Sequence, residues 1–298
     1  MCGIAGFISK KPLSSWASER LCSALLYYSE DRGSQSTGIF INGTLFKKAM
    51  NACEFIELDE YNKLFTQDTS AALLHTRQPT SGGKGDDQAQ PFISGTTVTV
   101  HNGWFTNIHE LKRRWNIQKA SGVDSELVTS FIDSYGIMKL PQFLKSSEGS
   151  SAFAIIYKNE LYLMRSGNPT AYTIIDLADG NTVFVFASTP KILAMAIRYV
   201  WLIQPYHSIK ETKEGILLHI TPEIITKMSA RVSSQSRSWK DWNGNDAQWA
   251  RWAKKKYRGE INPYEDEMND IRKMIGHIED NDDHDGQSIM KPEDYYGG

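Results

Sequence analysis

The stretch Cys2-Gly3-Ile4-Ala5-Gly6-Phe7-Ile8-Ser9 alternates small and apolar residues in strand fashion and places a thiol directly behind Met1. Once Met1 is removed, Cys2 carries a nucleophilic sulfur and a free α-amine on the same residue. That amine, with an ordinary pKa of about 7.7–8.0, can take the thiol proton near neutrality, directly or through a water, without a separate histidine. Gly3 and Gly6 would let backbone and substrate approach closely. A lone cysteine near a terminus is weak by itself, so the remaining chain must supply what thiol chemistry needs.

Moving outward from this strand, residues 14–30 (SSWASERLCSALLYYSE) set Trp16, Leu21 and Leu25 at helical spacing behind a serine N-cap. STGIFING (36–43), AALLHTR (71–77) and TTVTVHNG (96–103) read as strands, the last two running into polar loops. SGVDSELVTSFIDSYG (121–136) reads as a helix capped by Ser121 or Asp124. Two hairpins follow, over 150–166 with its turn at Lys158-Asn159 and over 172–188 with its turn at Asp179-Gly180. TPKILAMAIRYV (189–200) is predicted helical, and GILLHI (215–220) adds a strand. Hairpins dominate and no βαβ rhythm of a nucleotide-binding unit is present, which predicts an α+β fold with largely antiparallel sheets.

Composition bounds the class. A net charge of −2 and a pI near 6.4 give no support for nucleic acid as a direct ligand or for attraction to a membrane surface. No apolar run reaches the roughly 18–20 residues needed to span a bilayer, and the N-terminus does not read as a signal peptide. Cys2, Cys22 and Cys53 form no CxxC pair, so neither a disulfide framework nor a zinc site is expected, and the expected compartment is the reducing cytoplasm. The expected domain limits are 1–230 for the folded domain, 231–276 for a Trp-rich and basic extension, and 277–298 for an acidic disordered tail.

A thiol attacking an amide needs an oxyanion hole. His101-Asn102-Gly103 offers a side-chain amide and a backbone N–H, although Asn-Gly also suits a hairpin turn. Arg77, just after a strand, suits bidentate capture of a carboxylate, or is an ordinary surface arginine. Asp124 can pair with an ammonium or simply cap its helix. Together these groups describe a site for an amino acid with a side-chain amide, which is glutamine.

In this combination the chain resembles a class II glutamine amidotransferase domain of the N-terminal-nucleophile hydrolase superfamily. The matching segments stand in family order over roughly the first three quarters of the chain. They are CGIAGF, DRGSQSTGI (an Arg-Gly-x-x-x-x-Gly loop), HTRQPT, AQPF, HNG, DSE and RSGNP. The resemblance implies a four-layer α/β/β/α sandwich of two mostly antiparallel sheets, here with a C-terminal extension. It implies that Cys2 forms a γ-glutamyl thioester and releases ammonia, and that water then yields glutamate. Asn102 and Gly103 would stabilise the oxyanion. Arg77, with Thr80 beside it, would hold the substrate carboxylate, and Asp124 its ammonium. Arg32 and Gly33 would be supporting residues near the nucleophile.

The chain departs from the sugar-phosphate members, whose arginine loop continues Arg-Trp-Ala-Thr-His. Here it runs Arg77-Gln78-Pro79-Thr80-Ser81, without the aromatic gate, and Gln35 stands where an aspartate is common. SGGKGDD (81–87) resembles an ATP-pyrophosphatase loop but lacks its final serine and follows no buried strand; it reads as a mobile loop. No cofactor or metal is expected: His75, His101 and His109 lack metal-ligand spacing, and the acidic run 279–285 lacks the pattern of a calcium loop. Trp239, Trp242, Trp249 and Trp252, with Lys254, Lys255, Lys256 and Arg258 beyond them, fold back on the core or form a docking segment for a partner.

The function expected is a glutaminase subunit delivering ammonia to a synthetase on another chain, since the mostly polar C-terminal sequence is too short for a synthetase domain. The acceptors open to this layout are a nucleobase, nucleotide, sugar or amino acid, with a modified deazaguanine base singled out. Two other classes remain open: a hydrolase cleaving a γ-glutamyl amide in a biosynthetic intermediate, and an inactive subunit keeping the fold as scaffold.

Overall fold

A computed structural model describes residues 1–78, 85–117, 123–201, 209–221 and 223–224. The extension 231–276 and the acidic segment 277–298 lie outside the described residues, as do Thr80, Ser121 and the loop 81–84. The described chain begins with β1 (Gly3–Leu13), α1 (Ser15–Ser29), β2 (Ser36–Ile41), β3 (Thr44–Lys48), α2 (Ala52–Phe55), α3 (Asp59–Asn62) and β4 (Thr69–Arg77). It continues with β5 (Phe92–Ser94), β6 (Thr97–Phe105), α4 (Ile108–Arg114), α5 (Asp124–Tyr135), α6 (Leu140–Ser146), β7 (Gly149–Tyr157) and β8 (Glu160–Ser166). It closes with β9 (Ala171–Asp176), β10 (Thr182–Ala187), α7 (Pro190–Trp201), β11 (Lys210–Glu211) and β12 (Leu218–Ile220).

These strands form two sheets whose ladders are antiparallel throughout. The first runs β11-β9-β10-β1-β4-β2-β3 and the second β12-β8-β7-β6-β5. Both expected hairpins are present. Lys158 and Asn159 adopt positive φ (52° and 65°), as a two-residue turn between β7 and β8 demands, and Gly180 (φ 74°) turns β9 into β10.

The sheets stack face to face through one apolar layer. Ile4, Ile8, Leu73, Phe184 and Phe186 of the first meet Val98, Val100, Ala154, Leu161 and Leu163 of the second. Each fully buried phenylalanine there contributes about 1.5–3 kcal/mol of transfer free energy. On the outer face of the first sheet lie α1 and α7. Ser14 caps α1 by accepting from the Ala17 N–H at 3.2 Å, and α7 buries Ile192, Leu193, Ala196, Ile197 and Val200 at helical spacing. On the outer face of the second sheet, Leu127, Val128, Phe131 and Ile132 of α5 pack with Phe143, Phe153 and Ile155. The four layers and their α+β character are those expected.

Two local readings give way to longer-range pairing. Asn102-Gly103 is no hairpin turn: β6 runs on to Phe105, and Asn102 through Phe105 pair with Ala152 through Gly149 of β7. Asp124 does not cap α5 but is its first residue, with Val123 at the cap position and no side-chain cap bond. Among the described residues, no helix is long and apolar enough to cross a membrane.

Candidate active site

β1 runs through the first sheet between β10 and β4, and Cys2 sits at its entrance, 8% exposed. Asn102 lies on β6 of the second sheet, and the two meet across the stacked sheets. The Cys2 backbone N–H donates to Asn102 Oδ1 at 3.0 Å. Because that nitrogen is a donor, only the oxygen of the Asn102 amide can face it. The orientation leaves Asn102 Nδ2 on the other side, where it is buried with no hydrogen-bond partner among the described residues. A buried orphan donor costs about 1–3 kcal/mol, and one beside a thiol is placed to meet an incoming oxygen.

Gly103 follows at φ +155°, in the region that favours glycine. A Cβ there would lie 2.1 Å from the Ser150 carbonyl and 2.6 Å from His101 Nε2, so neither backbone conformation nor space admits a side chain. Across the thiol, Sγ lies 3.5 Å from the Gln78 carbonyl, which it can use as an acceptor. Arg77, immediately before Gln78 and buried at the end of β4, is electrostatically coupled to both Cys2 and Asp124. Burial pushes the Cys2 thiol above its ordinary pKa of 9.0, opposed by the Gln78 hydrogen bond and the charges of the N-terminal amine and Arg77. The thiol is therefore protonated at neutral pH and requires a base.

Asp124 closes the pocket from the start of α5. It is buried, and its Oδ2 accepts from the Phe105 N–H at 3.1 Å, two residues beyond Gly103. Arg32 Nε donates to the Cys2 carbonyl at 2.9 Å. Gly33 lies against the chain at Arg77-Gln78, where a Cβ would come within 2.3 Å of the Arg77 carbonyl carbon. The Gln35 N–H donates to the Arg77 carbonyl at 3.1 Å. Thus Cys2, Arg32, Gly33, Arg77, Asn102, Gly103 and Asp124 converge, while Thr80 falls outside the described residues.

A layer beneath these residues escaped sequence reasoning. Gln90 of the AQPF segment bonds both backbone groups of His101 and the Ser125 hydroxyl. His101 stacks on Phe153 at 4.4 Å between ring centres, and its Nδ1 lies 2.9 Å from Ser125 Oγ. His75 Nε2 lies 3.2 Å from the His101 carbonyl. Burial holds His75 at about 3 and His101 at about 4, so both are neutral core residues. Asn168 of the RSGNP turn donates to the Asn102 carbonyl at 2.9 Å. The only sequence signal for this layer was the place of Gln90 and Asn168 in the family-order segments AQPF and RSGNP. Among the described residues, no group of three or more His, Cys, Asp or Glu side chains could hold a metal ion.

This fold and site resemble those of class II glutamine amidotransferases, a class of enzymes with an N-terminal cysteine nucleophile. Residues 75–195 match the family model of the glutamine amidotransferase domain. The 7-cyano-7-deazaguanine synthase 2 of Sulfurisphaera tokodaii is 28% identical over 234 residues, which cover 72% of this chain and 49% of that protein. The isomerizing glutamine–fructose-6-phosphate aminotransferase of Gluconobacter oxydans is 26% identical, over 81% of this chain and 39% of that protein. The chain thus spans half or less of the length of these curated relatives. Among solved structures, the glutamine phosphoribosylpyrophosphate amidotransferase from B. subtilis superposes with a TM-score of 0.55 at 18% identity, over 74% of this chain and 49% of that one. A structure of the allosteric regulatory enzyme of purine biosynthesis superposes with a TM-score of 0.58 at 19% identity, over 74% and 47%. These superpositions share the fold.

Proposed function

We propose that this chain hydrolyses glutamine to glutamate and ammonia through a thioester on Cys2, and that the ammonia passes to a separate amidating enzyme. The observation that carries this reading is the orphaned Asn102 Nδ2, buried beside a thiol and locked in orientation by the Cys2 N–H.

With Met1 removed, the Cys2 α-amine takes the thiol proton and Sγ attacks the side-chain carboxamide carbon of glutamine. The carbonyl oxygen gains the electron pair and is met by Asn102 Nδ2 and the Gly103 N–H. Collapse expels the nitrogen, which takes a proton from the α-ammonium and leaves as ammonia. Water then attacks the thioester, returning the thiol and releasing glutamate. Arg77 holds the substrate carboxylate, Thr80 assists it, and Asp124 holds the ammonium. Asp124 Oδ2 accepts one hydrogen bond, from the Phe105 N–H, which leaves the carboxylate acceptor capacity for substrate. Arg32 and Gly33 support the segment around Cys2 and Arg77.

A deazaguanine-type nucleobase is the acceptor this reading favours, supported by likeness to relatives named 7-cyano-7-deazaguanine synthase. The domain limits proposed are 1–230 for the amidotransferase, 231–276 for a docking extension and 277–298 for an acidic tail.

The test is intact mass before and after treatment with diazo-oxo-norleucine, a glutamine analogue that alkylates such thiols. Loss of Met1 and a single adduct on Cys2 are expected. A processed protein that takes no adduct, with or without partners, would overturn the glutamine reading and favour a γ-glutamyl amide substrate. Transfer of label from [amide-15N]glutamine into a nucleobase product by a partner enzyme would test the acceptor.

A further inference from the structure

β5 pairs with β6 only over Phe92, Ile93 and Ser94, opposite Thr99, Val98 and Thr97. Two residues further along β6, at His101, a side chain takes the place of the missing strand. The Gln90 carboxamide accepts from the His101 N–H at 2.7 Å and donates to the His101 carbonyl at 3.0 Å. One planar group thus holds both backbone groups of the residue before Asn102, in the two-bond pattern of an antiparallel neighbour. The remaining Gln90 N–H donates to Ser125 Oγ at 3.1 Å, next to Asp124 in the first turn of α5. Gln90 is buried, and both of its N–H groups and its oxygen are engaged.

The placement of Gln90 is itself fixed from the first sheet. Lys47 Nζ on β3 donates to the Ala89 carbonyl at 2.8 Å. Gly38 on β2 lies so close that a Cβ there would meet the Gln90 carbonyl oxygen at 2.0 Å. On the opposite flank, the Asn168 amide holds the Asn102 carbonyl.

We propose that Gln90 is a positioning residue for the reaction: its carboxamide, bridging His101 and Ser125, sets the aim of the Asn102 amide relative to the carboxylate of Asp124. This rests on the glutaminase reading above. Gln90 touches no substrate and acts through the strand it holds. A donor aimed at a developing charge loses most of its effect when displaced by about 1 Å, at a cost of up to roughly 100-fold in rate. A buried glutamine that merely satisfied core polar groups would affect stability and leave catalysis untouched.

The test compares wild type with Gln90→Met, similar in shape but without hydrogen bonds, and with Gln90→Glu. In Gln90→Met, kcat for glutamine hydrolysis should fall roughly 10- to 100-fold with KM unchanged. Alkylation of Cys2 by iodoacetamide, which needs no oxyanion donor, should proceed at the wild-type rate. Gln90→Glu should regain kcat relative to wild type as pH falls, because only the protonated carboxyl can both accept from the His101 N–H and donate to a neighbour. A folded Gln90→Met with wild-type kcat overturns the proposal, as does a parallel loss of kcat and alkylation. Should Gln90→Met fail to fold, Gln90→Glu decides, and a pH profile parallel to wild type overturns the proposal. If wild type itself turns over no glutamine, the functional reading fails first. Hydrogen exchange at the His101 amide then judges the clamp, and unchanged protection in Gln90→Met overturns it.

Discussion

On the first-sheet side, the Cys2 sulfur faces backbone, while the Arg32 side chain holds the Cys2 carbonyl. The Gln78 carbonyl faces the sulfur, and Gly33 packs directly on the Arg77-Gln78 peptide. On the second sheet the neighbours are side chains: the Asn102 amide, the Asp124 carboxylate and, beneath them, the amides of Gln90 and Asn168. The two halves should therefore fail differently. Added volume disturbs the first half, because a close-packed backbone cannot yield to a new methyl. Loss of a polar atom disturbs the second, because buried partners are left unsatisfied.

The nucleophile is common to both halves, and its removal sets the ceiling. Cys2→Ala should reduce glutamine hydrolysis to background, at least roughly a 10⁴-fold loss, measured as glutamate release. On the second sheet, Asn102→Ala should lower kcat about 10²- to 10³-fold with little change in KM. A large rise in KM with kcat intact would show instead that Asn102 binds ground-state substrate.

On the first sheet, Gly33→Ala should cost about 1–3 kcal/mol of stability through overpacking, read from urea unfolding. It should also raise KM for glutamine, since the added methyl pushes on Arg77, the residue proposed to hold the substrate carboxylate. Unchanged stability and KM would dissolve the contrast between the halves.

A separate effect concerns pH. His75 and His101 are held at about 3 and about 4, below their ordinary 6.5. Below pH 6.5 the unfolded chain therefore binds protons that the folded chain refuses. Stability should fall as pH drops from 6.5 towards 4, by ~1.4 kcal/mol per pH unit for each histidine at full effect. The urea midpoint followed from pH 7 to pH 5 checks the sign. A midpoint that rose on acidification would contradict the buried, neutral histidine layer around β6.

Much of this was legible in the chain itself. CGIAGF, HTR, HNG and DSE each sit on a strand or helix start that local pattern predicted, and their order was enough to suggest the substrate. Gln90 was visible only as part of AQPF. Its partners His101 and Ser125 are 11 and 35 residues away, and no periodicity signals a side chain that imitates a strand. The hairpin-turn alternative for Asn-Gly and the cap reading of Asp124 gave way for the same reason. Local turn and cap preferences amount to about 1 kcal/mol, which a nine-residue ladder with β7 or a bond to the Phe105 N–H overrides.

By itself, then, the sequence determined which residue types could carry the chemistry, and which segments were strands or helices, because thiol, amide and guanidinium chemistry and hydrophobic period are local properties. Tertiary structure alone decided that Cys2 and Asn102, 100 positions apart, share a hydrogen bond across two sheets. It also decided which way the Asn102 amide faces. Those outcomes depend on how two apolar faces stack and on which buried polar atoms that stacking leaves with partners.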